Sequence, residues 1–125
     1  MKYRHVLLVE DEPLLNQIIT RNLVVRGHVV RSVATGAEAV QEALAELPEL
    51  LLLDLYLPDQ SGWDVLRKLK AHGMSVPVVI ISAVRPVPQR LQEFQPLAYL
   101  PKPFLIEALL RVVRGESPPV QSPLS

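Results

Sequence analysis

Two stretches of the chain are apolar without a break, Val6-Leu7-Leu8-Val9 and Leu50-Leu51-Leu52-Leu53. Runs of that kind suit strands buried on both faces, as in a parallel sheet covered by helices. Between and after them, apolar residues recur at helical spacing. A strand at about 4–9 leads into a helix with Pro13 in its first turn, where the missing N–H costs nothing. Leu14, Leu15, Ile18, Ile19 and Leu23 give that helix an apolar face, and Gly27 ends it. A second strand follows at 28–33. Thr35 is its successor helix's N-cap, with Glu38 as capping-box partner and Ala37, Val40, Leu44 and Leu47 facing inward. The third strand is 50–54. Ser61 caps a helix running to about 72.

A fourth strand at 76–81 begins beside Pro77, where no needed donor is lost. From 83 to 95 the helical signal weakens, because Pro86 and Pro88 leave at most two turns at 89–94. A fifth strand at 97–100 and a helix at 104–114, with Leu105, Leu109, Val112 and Val113 inward, complete the pattern. Strands separated by single helices imply an α/β domain: a doubly wound, five-stranded parallel sheet with right-handed crossovers. The stretch 115–125 is rich in Pro and Ser and reads as a disordered tail or a linker. One domain over residues 1–114 is therefore expected.

Composition adds exclusions more than assignments. Of the 125 residues 49% are apolar and 21% charged, ordinary for a globular domain. Thirteen bases balance thirteen acids, so the net charge suggests neither nucleic acid nor an anionic membrane as partner. No basic recognition helix is visible either. The chain holds no Cys, which removes disulfides and thiolate metal sites and is compatible with a cytoplasmic home. No apolar stretch approaches a membrane span, and the first ten residues lack a signal-peptide core.

The candidate chemistry stands where the apolar runs stop. Glu10-Asp11-Glu12 follows the first run and Asp54 the second. Ligands of such sheets bind beyond the carboxyl ends of the strands, so two strands deliver carboxylates to one crevice. Like charges at close range repel unless they are neutralised. A hard divalent cation with oxygen ligands is the remedy, and magnesium is the usual one beside phosphate chemistry. Each residue also has a plainer role. Asp54 alone could be a turn former, Asp11 a helix cap and Glu12 a first-turn acid favouring the helix dipole. His5, His28 and His72 show no metal-ligand spacing.

Four segments, taken in order, resemble the receiver domain of two-component response regulators. They are Val9-Glu10-Asp11-Glu12-Pro13; Asp54-Leu55-Tyr56-Leu57-Pro58 followed by Gly62; Ser82-Ala83; and Tyr99-Leu100-Pro101-Lys102-Pro103-Phe104. The resemblance implies a flavodoxin-like sheet of order 2-1-3-4-5 and a phosphoryl group accepted on Asp54 from a histidine kinase or phosphotransfer protein. It implies Mg2+ held by Glu10, Asp11, Asp54 and the backbone carbonyl of Tyr56. Lys102 would meet the phosphoryl group, Ser82 would be the switch hydroxyl, and Tyr99 the aromatic that packs inward when Ser82 moves. A cis Lys102-Pro103 bond is implied as well. An output domain or downstream protein would receive the signal.

Two departures from the family pattern bear on output. The interval from Ser82 to Lys102 is short, and Gln95-Pro96 replaces a Gly-Ala pair, so helix four is expected to be short or irregular and the output face atypical. Tyr56 and Val84, each two residues beyond a site residue, are bulky or apolar, which predicts a slowly hydrolysing acyl phosphate. Three rival readings compete. A small Mg-dependent phosphohydrolase wants an acid where Tyr56 stands. A flavodoxin-like cofactor domain wants a phosphate loop where Glu10-Asp11-Glu12 stands. A receiver-like interaction module not controlled by phosphorylation would tolerate the weak fourth helix.

Overall fold

A computed structural model describes residues 1–116. In chain order the elements are β1 (His5–Val9), α1 (Pro13–Val24), β2 (Val29–Val33), α2 (Gly36–Ala45), β3 (Leu50–Asp54), α3 (Gly62–Ala71), β4 (Val78–Ser82), α4 (Pro88–Phe94), β5 (Ala98–Pro101) and α5 (Ile106–Val113). The five strands are all parallel, in the order β2-β1-β3-β4-β5. The doubly wound parallel sheet is what the strand and helix pattern predicts, and its flavodoxin-like order is what the resemblance implies.

Side-chain alternation along the strands divides the core into two layers. Val6, Leu8, Leu50, Leu52, Val79, Ile81 and Leu100 pack with Ile19 and Leu23 of α1 and with Leu109, Leu110, Val112 and Val113 of α5. Leu7, Val9, Leu51, Leu53 and Ile80 pack with Ala39 and Ala43 of α2 and with Val65, Leu66 and Leu69 of α3. The unbroken apolar runs thus belong to central strands covered on both sides, as their sequences require.

The helix faces differ from expectation in instructive ways. In α2, Ala39 and Ala43 are buried and Val40 partly so, whereas Ala37 and Leu44 are exposed, as is Leu47 beyond its end. Both sets have helical spacing; the face of small residues wins because it lets the helix lie close to the sheet. In α1 the contact face is Ile19, Leu23 and half-buried Leu15, leaving Leu14 and Ile18 exposed. Leu105 is the exposed N-cap residue of α5 rather than a core residue. Asp11 does not cap α1; Glu12 occupies the N-cap position, and its side chain makes no cap bond. Thr35 does accept from Glu38 N, but the Glu38 carboxylate takes the Thr35 hydroxyl and Ala34 N–H instead of closing a full capping box.

Two long-range contacts finish α2. Asp59, from the loop after β3, accepts from Gly36 N at 2.8 Å and Ala37 N at 3.0 Å. Those bonds, Gly36 N first, lower the Asp59 carboxyl to about 2. At the other end Arg31 of β2 donates to Glu42 O at 3.0 Å and Glu46 O at 2.6 Å, supplying the positive charge that the last turn of α2 lacks. Helix α4 is short, as expected: seven residues with Pro88 in its first turn, none of them buried. Of the 115–125 stretch only Gly115 and Glu116 are described, and they close α5 through bonds to Val112 O and Arg111 O; the rest of the expected tail lies outside the described residues. No helix among the described residues is long and apolar enough to cross a membrane.

Candidate functional site

Strand register brings the candidate residues to one edge of the sheet. Val9 pairs with Leu53, Asp54 with Ile81 and Ser82 with Pro101. Glu10, Asp54, Ser82 and Lys102 therefore lie at the carboxyl ends of four neighbouring strands, around the point where strand order reverses. An open cleft of about 750 Å³ lies there, lined among others by Asp11, Glu12, Asp54, Tyr56, Ala83 and Lys102.

Lys102 Nζ is the centre of the cluster. It lies 3.0 Å from Asp54 Oδ2, 2.9 Å from Glu10 Oε1 and 2.8 Å from Glu12 Oε2. Its peptide bond to Pro103 is cis, as the resemblance implied, and its own N–H donates to Ser82 O at 2.9 Å. Burial pulls the ammonium's pKa down, but the adjoining carboxylates of Glu12, Glu10 and Asp54 outweigh it and hold the pKa above the ordinary lysine value. The shift favours the charged form of Lys102. Asp54 is 3% exposed, and its second oxygen accepts from Tyr56 N at 3.0 Å. Both of its oxygens are oriented by fixed donors.

Glu10 is 1% exposed, and Oε2 accepts from Glu12 N at 3.0 Å. Oε1 touches the Lys102 ammonium as an ion pair without hydrogen-bond alignment, and it is a buried oxygen with no hydrogen-bond donor among the described residues. Burial raises the Glu10 carboxyl to about 7, although Glu12 N–H and Lys102 lower it; neighbouring Asp54 adds to the rise. Asp11 is exposed, and its carboxylate completes a group in which ligand oxygens of Glu10, Asp11 and Asp54 lie within 4.8 Å of one another. Three carboxylates around one ammonium, a fourth from Asp11 beside them, and one orphaned buried oxygen fit a hard cation with oxygen ligands.

The remaining candidates flank this cluster. Ser82 is fully buried, and its Oγ accepts from Val84 N at 3.0 Å. Half-buried Tyr99 reaches the same segment, its hydroxyl donating to Ser82 O at 3.4 Å. The Tyr56 ring is 60% exposed on the cleft wall. Gly62 allows the loop after Asp54 to fold back: a Cβ there would stand 2.6 Å from Asp54 O and 3.1 Å from Leu53 Cγ. Trp63 packs at the start of α3, where its ring stacks on Phe94 of α4 with centroids 5.5 Å apart.

The sequence reading missed three contacts. Glu12, read as a dipole acid, is a partner of Lys102. Asn16 Nδ2 donates to Glu10 O at 3.0 Å, one turn into α1. Asp59, in the loop after β3, caps α2. Only Glu12 carried a signal, as the third acid of an uninterrupted triplet. His28, read as incidental, is buried with Nδ1 2.6 Å from Tyr3 O.

A doubly wound parallel five-stranded α/β sheet with acids and a lysine clustered at its carboxyl edge defines the class of fold and site, and comparison with known proteins makes it specific. The family described as "Response regulator receiver domain" matches residues 6–114, and the chain belongs to that family. It is 37% identical over 112 residues to the transcriptional regulatory protein KdpE of Mycobacterium tuberculosis (strain ATCC 25618 / H37Rv), covering 88% of this chain and 49% of that protein. It is 35% identical over 125 residues to the transcriptional regulatory protein CssR of Bacillus subtilis (strain 168), covering 93% and 55%. The chain thus spans about half the length of the curated relatives it matches. Among solved structures, the signal receiver domain of a Vibrio parahaemolyticus protein described as a Luxo repressor superposes with a TM-score of 0.81 at 31% identity, over 91% of this chain and 88% of that one.

Proposed function

We propose that this receiver domain accepts a phosphoryl group on Asp54 from a histidine kinase or a phosphotransfer protein and thereby switches its affinity for a downstream partner. The observation that carries the reading is the convergence of Glu10, Asp11, Asp54 and Lys102 at one strand edge. A carboxylate oxygen of Asp54 attacks phosphorus and forms a P–O bond. The donor's P–N or P–O bond breaks, and its electron pair leaves with the donor. Tyr56 N–H and Lys102 hold the two Asp54 oxygens in place for that attack. Lys102 then pairs with the phosphoryl oxygens as a compact point charge.

Glu10, Asp11, Asp54 and the backbone carbonyl of Tyr56 would hold magnesium, which when bound supplies positive charge to the phosphoryl oxygens. Once the group is attached, Ser82 gives up Val84 N and turns to it; Tyr99, already against the Ser82 carbonyl, follows. The surface of α4, β5 and α5 would change with them, biasing an existing two-state equilibrium. The recipient is a downstream protein or an output segment, a reading supported by the relatives' names as transcriptional regulatory proteins.

Incubation with acetyl phosphate and magnesium tests this on a phosphate-affinity gel. Wild type is expected to shift and Asp54→Ala to stay in place. Equal mobility of the two would end the proposal in favour of an interaction module independent of phosphate. That second reading draws on one observation, the seven-residue α4 held to α3 by the Trp63–Phe94 stack.

A further inference from the structure

An ammonium has three protons, and Lys102 has three carboxylates around it. Nζ hydrogen-bonds to Glu12 and Asp54 and is ion-paired with Glu10, so a phosphoryl group arriving on Asp54 competes with these carboxylates for the ammonium. The three are not equivalent. The Glu10 side chain is wholly buried and anchored by Glu12 N–H; the Asp54 side chain is 4% exposed and anchored by Tyr56 N–H. Releasing Glu10 would leave a buried charge unpaired, a costly step, and Asp54 itself carries the arriving group and stays beside Nζ with it. The Glu12 side chain is 60% exposed, and it holds the shortest of the three contacts, 2.8 Å. It stands at the N-cap of α1 yet caps nothing. It also lies outside the group formed by Glu10, Asp11 and Asp54. Return of its carboxylate to water costs little.

We infer that Glu12 is a positioning residue that latches Lys102 in the resting state, and that the incoming phosphoryl group replaces the Glu12 carboxylate in the lysine's shell. The inference rests on the proposed acceptor role of Asp54 and adds which contact is exchanged. No bond other than the ion pair changes: Glu12 leaves Nζ, and a phosphoryl oxygen takes its place. Glu12 thereby competes with every phosphodonor and sets the threshold for phosphorylation.

The test compares wild type, Glu12→Gln, Glu12→Asp and Asp54→Ala by initial rates of phosphorylation with acetyl phosphate in saturating magnesium. Glu12→Gln removes the charge. Glu12→Asp keeps it but shortens the arm by one methylene, so a latch is lost in both. Both variants are expected to be faster at low acetyl phosphate, by about two- to fivefold given the usual strength of an exposed ion pair, with the half-saturating donor concentration lowered and the thermal midpoint unchanged. If Glu12→Gln is faster while Glu12→Asp matches wild type, the effect is general charge repulsion and the latch is refuted. Rates equal to or below wild type in both variants refute it too. Wild type that is phosphorylated no more than Asp54→Ala removes the parent reading, and the latch with it; Asp54-dependent labelling with unaltered Glu12 variants removes the latch alone.

Discussion

Replacing Lys102 by methionine should make stability depend on pH and on divalent cation in a way that only the carboxylate cluster explains. Methionine keeps much of the aliphatic stem but withdraws the charge that Glu10, Glu12 and Asp54 share. Removing one partner of a fully buried ion pair costs about 3–5 kcal/mol. The Lys102 side chain is 17% exposed and Glu12 is largely solvated, so a loss of about 2–4 kcal/mol is expected near pH 8 without divalent cation. Acid offers the variant relief. In wild type the Glu10 carboxyl already lies at about 7, above its ordinary 4.5, because burial disfavours its charge. A carboxyl raised on folding adds stability that is complete below its unfolded pKa and is lost as pH rises through the folded one. Wild type should therefore weaken as pH rises from about 4.5 to 7. In Lys102→Met the lowering influence of the ammonium is gone, the Glu10 carboxyl rises further, and the window extends upward. Urea unfolding near pH 5 should show a loss of only about 1 kcal/mol. Magnesium added near pH 8 should restore part of the deficit by binding the folded state. An identical loss at both pH values, unmoved by magnesium, would refute the argument and leave Lys102 as a packing residue.

Other consequences are equally direct. Gly62→Ala would set a Cβ 2.6 Å from Asp54 O, and such overpacking costs about 1–3 kcal/mol; a lower urea midpoint and slower acetyl phosphate labelling are expected together. Gln95 is the one non-glycine residue with positive φ among those described, at 46°, so Gln95→Gly should raise the unfolding free energy by up to about 1 kcal/mol, read by the same titration. The acyl phosphate on Asp54 should outlast a time course of seconds, because a bulky Tyr56 and an apolar Val84, two residues beyond Asp54 and Ser82 and 60% and 52% exposed, would limit attacking water; loss of label within seconds in purified protein would contradict this.

How much was legible in the sequence follows from how local each determinant is. The parallel α/β fold was readable because Val6–Val9 and Leu50–Leu53 are apolar at every position, a pattern that central strands require and amphipathic helices do not. The short α4 was readable because Pro86 and Pro88 act on their own backbone. Asp54, Asp11 and Lys102 stood out by residue type at strand ends, and parallel strands carry their ends to one edge whatever the loops do. The contact face of α2 was not readable. Residues 37, 40, 44 and 47 and residues 36, 39, 40 and 43 are both helical stripes, and only the closeness of α2 to the sheet selected the small one. Nor could spacing reveal that Asp59 caps a helix 22 and 23 residues earlier in the chain, or that Arg31 closes its other end. Those bonds join segments whose separation in sequence says nothing about their separation in space.

The same division runs through the site itself. Charge and residue type at strand ends, which each position carries alone, were determined by the sequence. The pairing of Glu12 with Lys102, 90 residues away, and the stranding of a Glu10 oxygen in the interior were decided by the tertiary structure, because burial and partnership exist only once the chain has closed around them.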